Sequence, residues 1–173
     1  MAEDIEARLA ALEAIRDIQK LRQDYASAAD DKYQPDRRRM DKADLDSAAR
    51  RQADCFTADA IWRGGPFGGD IIGRDALFAF FRQSPWRLTF HQYSSVSIDI
   101  EGHVAKGVWR LIEIGVRESD GATMLLTGRT VESYRKDDGA PWLIESFAFE
   151  RLHAITLSSQ ADALRCLIPL GET

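Results

Sequence analysis

The sequence predicts an α+β fold in which N-terminal helices pack on one face of a curved, mainly antiparallel sheet. Three observations carry this expectation. Apolar residues near the N-terminus recur at steps of three and four, which is helical spacing. The second half holds four long segments rich in β-branched and aromatic residues, separated by compact turn signals that make successive strands hairpins. Helices come first and strands last, unlike the alternation that builds a parallel sheet. With 173 residues, 45% hydrophobic and 29% charged, the chain suits a single domain over 1–173 with an ordinary hydrophobic core.

Ile5, Leu9, Leu12, Ile15, Ile18, Leu21 and Tyr25 form the stripe of a long amphipathic first helix that ends near Asp30. The Glu, Arg, Lys and Asp residues between them are expected on its solvent side. Small residues from Ala26 to Ala29 let another element approach closely. The Arg-rich stretch over about 32–42 reads as a polar, exposed insertion, and Pro35 disfavours helix at the residue before it. A second helix is expected over 41–56, capped by Asp41 or Asp44, with Leu45, Ala48, Ala49, Ala53 and Phe56 as its inner face. A short strand follows at 60–62, then a glycine-punctuated loop, a strand at 71–72 and a short helix over 75–83. The long strands are expected at 88–100, 104–116, 124–134 and 142–152. Leu164, Leu167, Ile168 and Leu170 equip the tail, 157–173, to dock on the body or on a second subunit.

Composition narrows the partners. A formal charge of −5 argues against a nucleic-acid face, which takes clustered Lys and Arg. Arg37, Arg38 and Arg39, with Arg50 and Arg51, are the exception. They read as a solvated face or, beside a cavity mouth, as an attractor for an anionic substrate. Three scattered histidines and two cysteines, Cys55 and Cys166, offer no metal motif, so no metal or other cofactor is expected. The run Gly64-Gly65-Pro66-Phe67-Gly68-Gly69 lacks the Lys-Ser/Thr ending of a phosphate loop. The N-terminus has no signal-peptide pattern, and no apolar run approaches the ~20 residues of a membrane span. A soluble, cytoplasmic protein is expected.

Several residues stand out as chemistry. Strict alternation sets Leu88, Phe90, Val96, Ile98 and Ile100 on one face of their strand, and His91, Tyr93, Ser95 and Ser97 on the other. If the first face packs on helices or a partner, the second lines a polar-aromatic concavity; the reverse puts His91 in solvent. Glu113 is an acid inside an apolar strand, so it faces a wet cavity, pairs with an arginine or is protonated. In the last strand Leu143, Glu145, Phe147, Phe149 and Arg151 share a face on strict alternation, a mixture suited to a ligand cavity. Trp62, Tyr93 and Trp109 can add aromatic walls, although each alone also fits a core.

The phrases FTADAIW at 56–62, GRDALFAFF at 73–81 and GRTVESYRKDDGAPW at 128–142 resemble the nuclear transport factor 2-like superfamily, in its SnoaL-like branch. His91 early in the first long strand and a first helix ending near Asp30 extend the resemblance over roughly 5–152. It implies a cone-shaped α+β barrel. The nearest functional likeness is to cofactor-independent lyases: bile-acid 7α-dehydratase, scytalone dehydratase and hexachlorocyclohexane dehydrochlorinase. That likeness implies Tyr25, Asp30 and His91 as catalytic residues, with adjacent Asp31 an equal reach from the helix end. Asp30 would fix the imidazole tautomer and His91 would take a substrate proton, while the Tyr25 phenol assists a leaving hydroxyl. Glu113 aligns with an acid on the next strand. The last-strand arginine falls on Arg151 when counted from Trp142, whereas counting from Glu145 gives Glu150. The resemblance implies a small hydroxylated aromatic or polycyclic substrate that loses water or formaldehyde, and a homodimer or homotrimer formed through the outer sheet face. The superfamily also hosts isomerases, polyketide cyclases, non-catalytic ligand-binding modules and dioxygenase β-subunits.

Overall fold

The computed structural model describes residues 2–36, 38–160 and Leu164. α1 (Ala2–Asp30) is the long helix expected, but its stripe divides. Ile5, Leu9 and Leu12 are exposed, as is every residue over 5–10, so the first turns lie outside the core. Burial begins at Ala14 and Ile18. Arg22, expected in solvent, is instead fully buried. Its place four residues after Ile18 and three before Tyr25 sets it on the inner face.

The insertion is also less exposed than its charge predicts. Tyr33 and Arg39 form an isolated antiparallel bridge, and Lys32 and Tyr33 are both buried. α2 (Lys42–Asp54) is capped by Asp41, whose carboxylate accepts the Asp44 N–H at 3.0 Å. Ala48, Ala49 and Ala53 are buried along it. The helix stops before Phe56, which opens β1 (Phe56–Arg63), a longer strand than expected. A single 3-10 turn (Gly65–Phe67), β2 (Ile71–Ile72) and α3 (Arg74–Phe81) follow, with Leu77 and Phe81 buried.

The long strands are β3 (Trp86–Glu101), β4 (Val104–Arg117), β5 (Thr123–Arg135) and β6 (Leu143–Ser158). The sheet order is β2-β1-β6-β5-β4-β3, antiparallel throughout except between β1 and β6. Three helices on this curved sheet make the α+β cone that the sequence predicts. The turn between β3 and β4 is the two residues Gly102-His103, with Gly102 at φ +61, a conformation most side chains avoid. β6 runs six residues past its expected end and takes the start of the expected tail. Leu167, Ile168 and Leu170 lie outside the described residues.

Two bulged strands correct the strict alternation. In β3 the pairing steps from Ser95↔Trp109 to Ser97↔Val108, so Val96 is extra and exposed. Beyond it the parity flips, and Ile98 and Ile100 pack on the core side instead of sharing the face of Phe90. In β6 the register shifts beside Glu145 and Glu150. Phe147 and Phe149 oppose inward Glu132 and Thr130, whereas Arg151 opposes Arg129 and is exposed. The five residues expected on one face of β6 are therefore divided, because one inserted residue reverses every side chain after it. Ile18, Phe56, Leu77, Tyr134, Ile144 and Phe147 fill the space between helices and sheet. Among the described residues no helix is long and apolar enough to cross a membrane.

Candidate active site

The last residue of α1 meets the middle of β3. Asp30 accepts the His91 backbone N–H at 2.9 Å and the Thr89 hydroxyl at 2.9 Å, and its Oδ1 lies 2.6 Å from His91 Nδ1. An acceptor-only carboxylate there places the imidazole hydrogen on Nδ1 and leaves Nε2 as the basic nitrogen. Asp31 instead faces Arg51 at 2.7 Å on the surface. His91 and Glu113 are direct cross-strand neighbours, and Glu113 Oε2 stands 3.5 Å from Nε2.

His91 and Glu113 border a cavity of about 90 Å³. Trp62, Phe80, Phe81, Trp86 and Phe149 supply its aromatic walls, and Tyr25, Lys32, Tyr33, Gln52, His91, Tyr93 and Glu113 its polar ones. Gly115 makes room for Trp86, since a Cβ there would stand 2.9 Å from the indole. Tyr25, Asp30 and His91 are thus brought together, with Trp62, Tyr93 and Glu113 around them. Three expected binding residues lie elsewhere. Phe147 sits behind Trp62, ring stacked on ring at 5.8 Å, and Phe149 holds the wall position. The Trp109 indole N–H donates to the Tyr134 hydroxyl at 2.8 Å, away from the cavity. Arg151 and Glu150 are both exposed on the far side of the β6 bulge.

Burial and charge compete at each titratable group. Burial opposes a charge on His91, yet Glu113 and Asp30 outweigh it and raise the imidazole above its ordinary value. Burial also raises Glu113, although His91 pulls the other way. Burial pushes the Tyr25 phenol up to about 12, against the nearby Arg22 guanidinium and a hydrogen bond from Gln52. Tyr25 therefore remains a hydrogen-bond donor at any physiological pH.

Several residues of this region were not legible as functional. Lys32 Nζ donates to Gln52 Oε1 at 3.0 Å and to the Phe81 carbonyl at 3.3 Å. The Tyr33 hydroxyl meets Ser84 Oγ at 2.6 Å, and Arg39 donates to the Ser84 carbonyl, tying the insertion to the segment before β3. Beneath the cavity, the Arg22 guanidinium lies 3.7 Å from the Tyr93 ring centroid and 4.3 Å from that of Tyr25. Its Nε is 3.4 Å from Glu132 Oε1, and both side chains are fully buried. Glu132 also accepts from Thr130 at 2.8 Å and from the Tyr134 hydroxyl. Arg22 thus underlies the two tyrosines of the cavity. The signals were helical phase for Arg22 and strand alternation with Thr130 and Tyr134 for Glu132, both masked by the rule that charges face water. Among the described residues no group of three or more His, Cys, Asp or Glu is arranged to hold a metal ion.

A family model described as a SnoaL-like domain matches residues 10–148. The chain belongs to the SnoaL-like domain family. No curated protein matches this SnoaL-like chain by sequence. Among solved structures it is similar to a type 2 hexachlorocyclohexane dehydrochlorinase, at 16% identity and a TM-score of 0.66, covering 95% of this chain and 97% of that one. A candidate scytalone dehydratase from Novosphingobium aromaticivorans has 18% identity and a TM-score of 0.65, covering 94% and 97%. A candidate aromatic ring hydroxylase from the same organism has 21% identity and a TM-score of 0.61, covering 83% and 94%. At these identities the likeness is one of fold.

Proposed function

We propose that this SnoaL-like protein is a cofactor-independent lyase acting on a small hydroxylated aromatic molecule. The observation that carries the reading is the Asp30–His91 pair, at 2.6 Å, on the wall of an aromatic cavity that Tyr25 also lines. Neutral His91 takes a proton from substrate carbon through Nε2, and the Asp30 carboxylate stabilises the imidazolium that forms. The Tyr25 phenol donates to the departing hydroxyl or to negative charge developing on an adjoining oxygen. Trp62, Tyr93 and Glu113 complete the substrate surroundings; Trp109, Phe147 and Arg151 have no part in this scheme. The dehydratase and dehydrochlorinase among the structural neighbours favour an elimination over other chemistries of the fold.

Incubation with a panel of hydroxylated aromatics, followed by mass spectrometry, tests the proposal. Loss of water that disappears in His91→Ala is the expected result. Loss of formaldehyde would place the same base and phenol in a C–C cleavage, and a product of unchanged mass would indicate an isomerase or cyclase. Full turnover by His91→Ala would refute the base assignment. Exposed Phe90, Val96, Ile112 and Val131 on the sheet support self-association as a homodimer or homotrimer, which sedimentation would resolve.

A further inference from the structure

Lys32 is a charged group of the cavity wall for which the proton-abstraction scheme has no use. It is 5% exposed, and a cation that deep is retained where something takes its hydrogens. An ammonium has three. Two go to protein carbonyl oxygens, Gln52 Oε1 and the Phe81 main chain. Among the described residues no third oxygen or nitrogen acceptor meets Nζ, which lies 5.8 Å from the Phe81 ring centroid, and no carboxylate lies within ion-pair distance of it. Gln52, which anchors Lys32, lines the cavity together with Tyr25. The cavity is where the third hydrogen finds an oxygen that the protein does not supply.

We propose that Lys32 binds the carbonyl oxygen of the substrate, so that the class accepted is an aromatic ketone or aldehyde bearing hydrogen on the carbon next to the carbonyl. The inference rests on His91 as the base and extends that reading to the substrate class. A neighbouring carbonyl is what makes a C–H acidic enough for an imidazole. As His91 removes the proton, the C–H electron pair moves towards the carbonyl oxygen, and the negative charge develops against the Lys32 ammonium. His91 passes the abstracted proton to the Glu113 carboxylate across their 3.5 Å separation, and Glu113 hands it to the hydroxyl on the following carbon, which leaves as water with the Tyr25 phenol hydrogen-bonded to it, while the pair forms the new C=C bond and the carbonyl is restored.

The pH range of this contact follows from the surroundings of Lys32. Burial lowers its pKa to about 8, while Asp30 of α1 and Glu113 of β4 favour the charge and Arg39 of the insertion opposes it. His91 and Tyr93 of β3, Tyr25 of α1 and Tyr33 complete the titratable groups of the cavity. Below about 8 the ammonium has its third hydrogen to give. Above that, the free amine has two, and Gln52 and Phe81 take both.

Phenylacetone and propylbenzene, alike except that a carbonyl replaces a methylene, are suitable probes. Their dissociation constants follow from quenching of tryptophan fluorescence, since Trp62 and Trp86 line the cavity. The ratio of the propylbenzene to the phenylacetone constant should fall at least about tenfold in Lys32→Met, the weight of one charge-assisted hydrogen bond. In the unmodified protein, which avoids any folding defect, the ratio should fall between pH values well below and well above about 8. A ratio insensitive to both Lys32→Met and pH, or a wild type that binds neither probe, would overturn the assignment. Exchange of the benzylic hydrogens of phenylacetone for deuterium, followed by NMR in the same samples, reads His91 separately. Exchange that survives His91→Ala removes the base reading and leaves the carbonyl preference standing, whereas exchange lost in His91→Ala with an unaltered ratio in Lys32→Met removes Lys32 alone.

Discussion

Replacing Asp30 with Asn keeps the shape of the side chain and removes the charge that organises His91. The carboxylate accepts three hydrogens, from His91 Nδ1, the His91 backbone and Thr89, at 2.6 to 2.9 Å. An amide has one oxygen, so one donor is left facing an NH2 group and the other two bonds lose their charge assistance. Charge-assisted bonds contribute roughly 1.5–3 kcal/mol each. With the Asp30 side chain 22% exposed, the lower part of that range applies, and the total loss is about 2–3 kcal/mol. At about 2–4 °C per kcal/mol for a chain of this size, the melting temperature should drop by roughly 4–12 °C. The penalty should depend on pH. The folded state raises the His91 pKa, because Glu113 and Asp30 outweigh burial, so protonation of His91 stabilises the fold below about 6.5 and that contribution is lost as pH rises through the folded value. Asp30→Asn removes part of it, so the loss is larger in acid than in alkali. An NMR titration of the imidazole, with thermal melts at several pH values, reads both effects. A His91 pKa that stays put or rises in the variant, or a melting penalty flat with pH, would refute this account. On any substrate found, turnover should fall by roughly two to four orders of magnitude, the cost of a misplaced imidazole tautomer.

Glu113→Gln removes the larger of the two charges that raise His91, so the acid limb of the activity profile should move to lower pH; movement to higher pH would contradict the electrostatics. Arg22→Met leaves the Glu132 carboxylate fully buried without its cation and should cost roughly 3–5 kcal/mol, seen as a lower denaturation midpoint. Adding Glu132→Gln to Arg22→Met should restore part of that loss, and strictly additive losses in the double variant would show the two groups to be energetically independent.

Part of this site was legible through the resemblance to SnoaL-like lyases, which pointed to Tyr25, Asp30 and His91, residues that sit where simple periodicities hold. Tyr25 continues a helical stripe, Asp30 ends that helix, and His91 and Glu113 alternate inward on strands with no interruption between His91 and Tyr93. Where a bulge intervenes, counting fails. Val96 reversed the faces of Ile98 and Ile100, and the shifts in β6 carried Arg151 out to solvent. Charged core residues were hidden for a different reason. Lys32 and Arg22 look like surface by composition, and only their partners, Gln52 and Phe81 for one and Glu132 with two tyrosines for the other, make burial tolerable.

By itself the sequence determined the α+β class, the order of the helices, the turns of the sheet and the choice of Asp41 or Asp44 as the second helix's cap, because each of these depends on neighbours a few residues apart. The tertiary structure alone decided that Asp30 rather than Asp31 reaches His91, which bulges turn the strands, and which charges enter the core. Those outcomes depend on contacts between residues such as 22 and 132 or 32 and 52, whose pairing energy has no trace in local spacing.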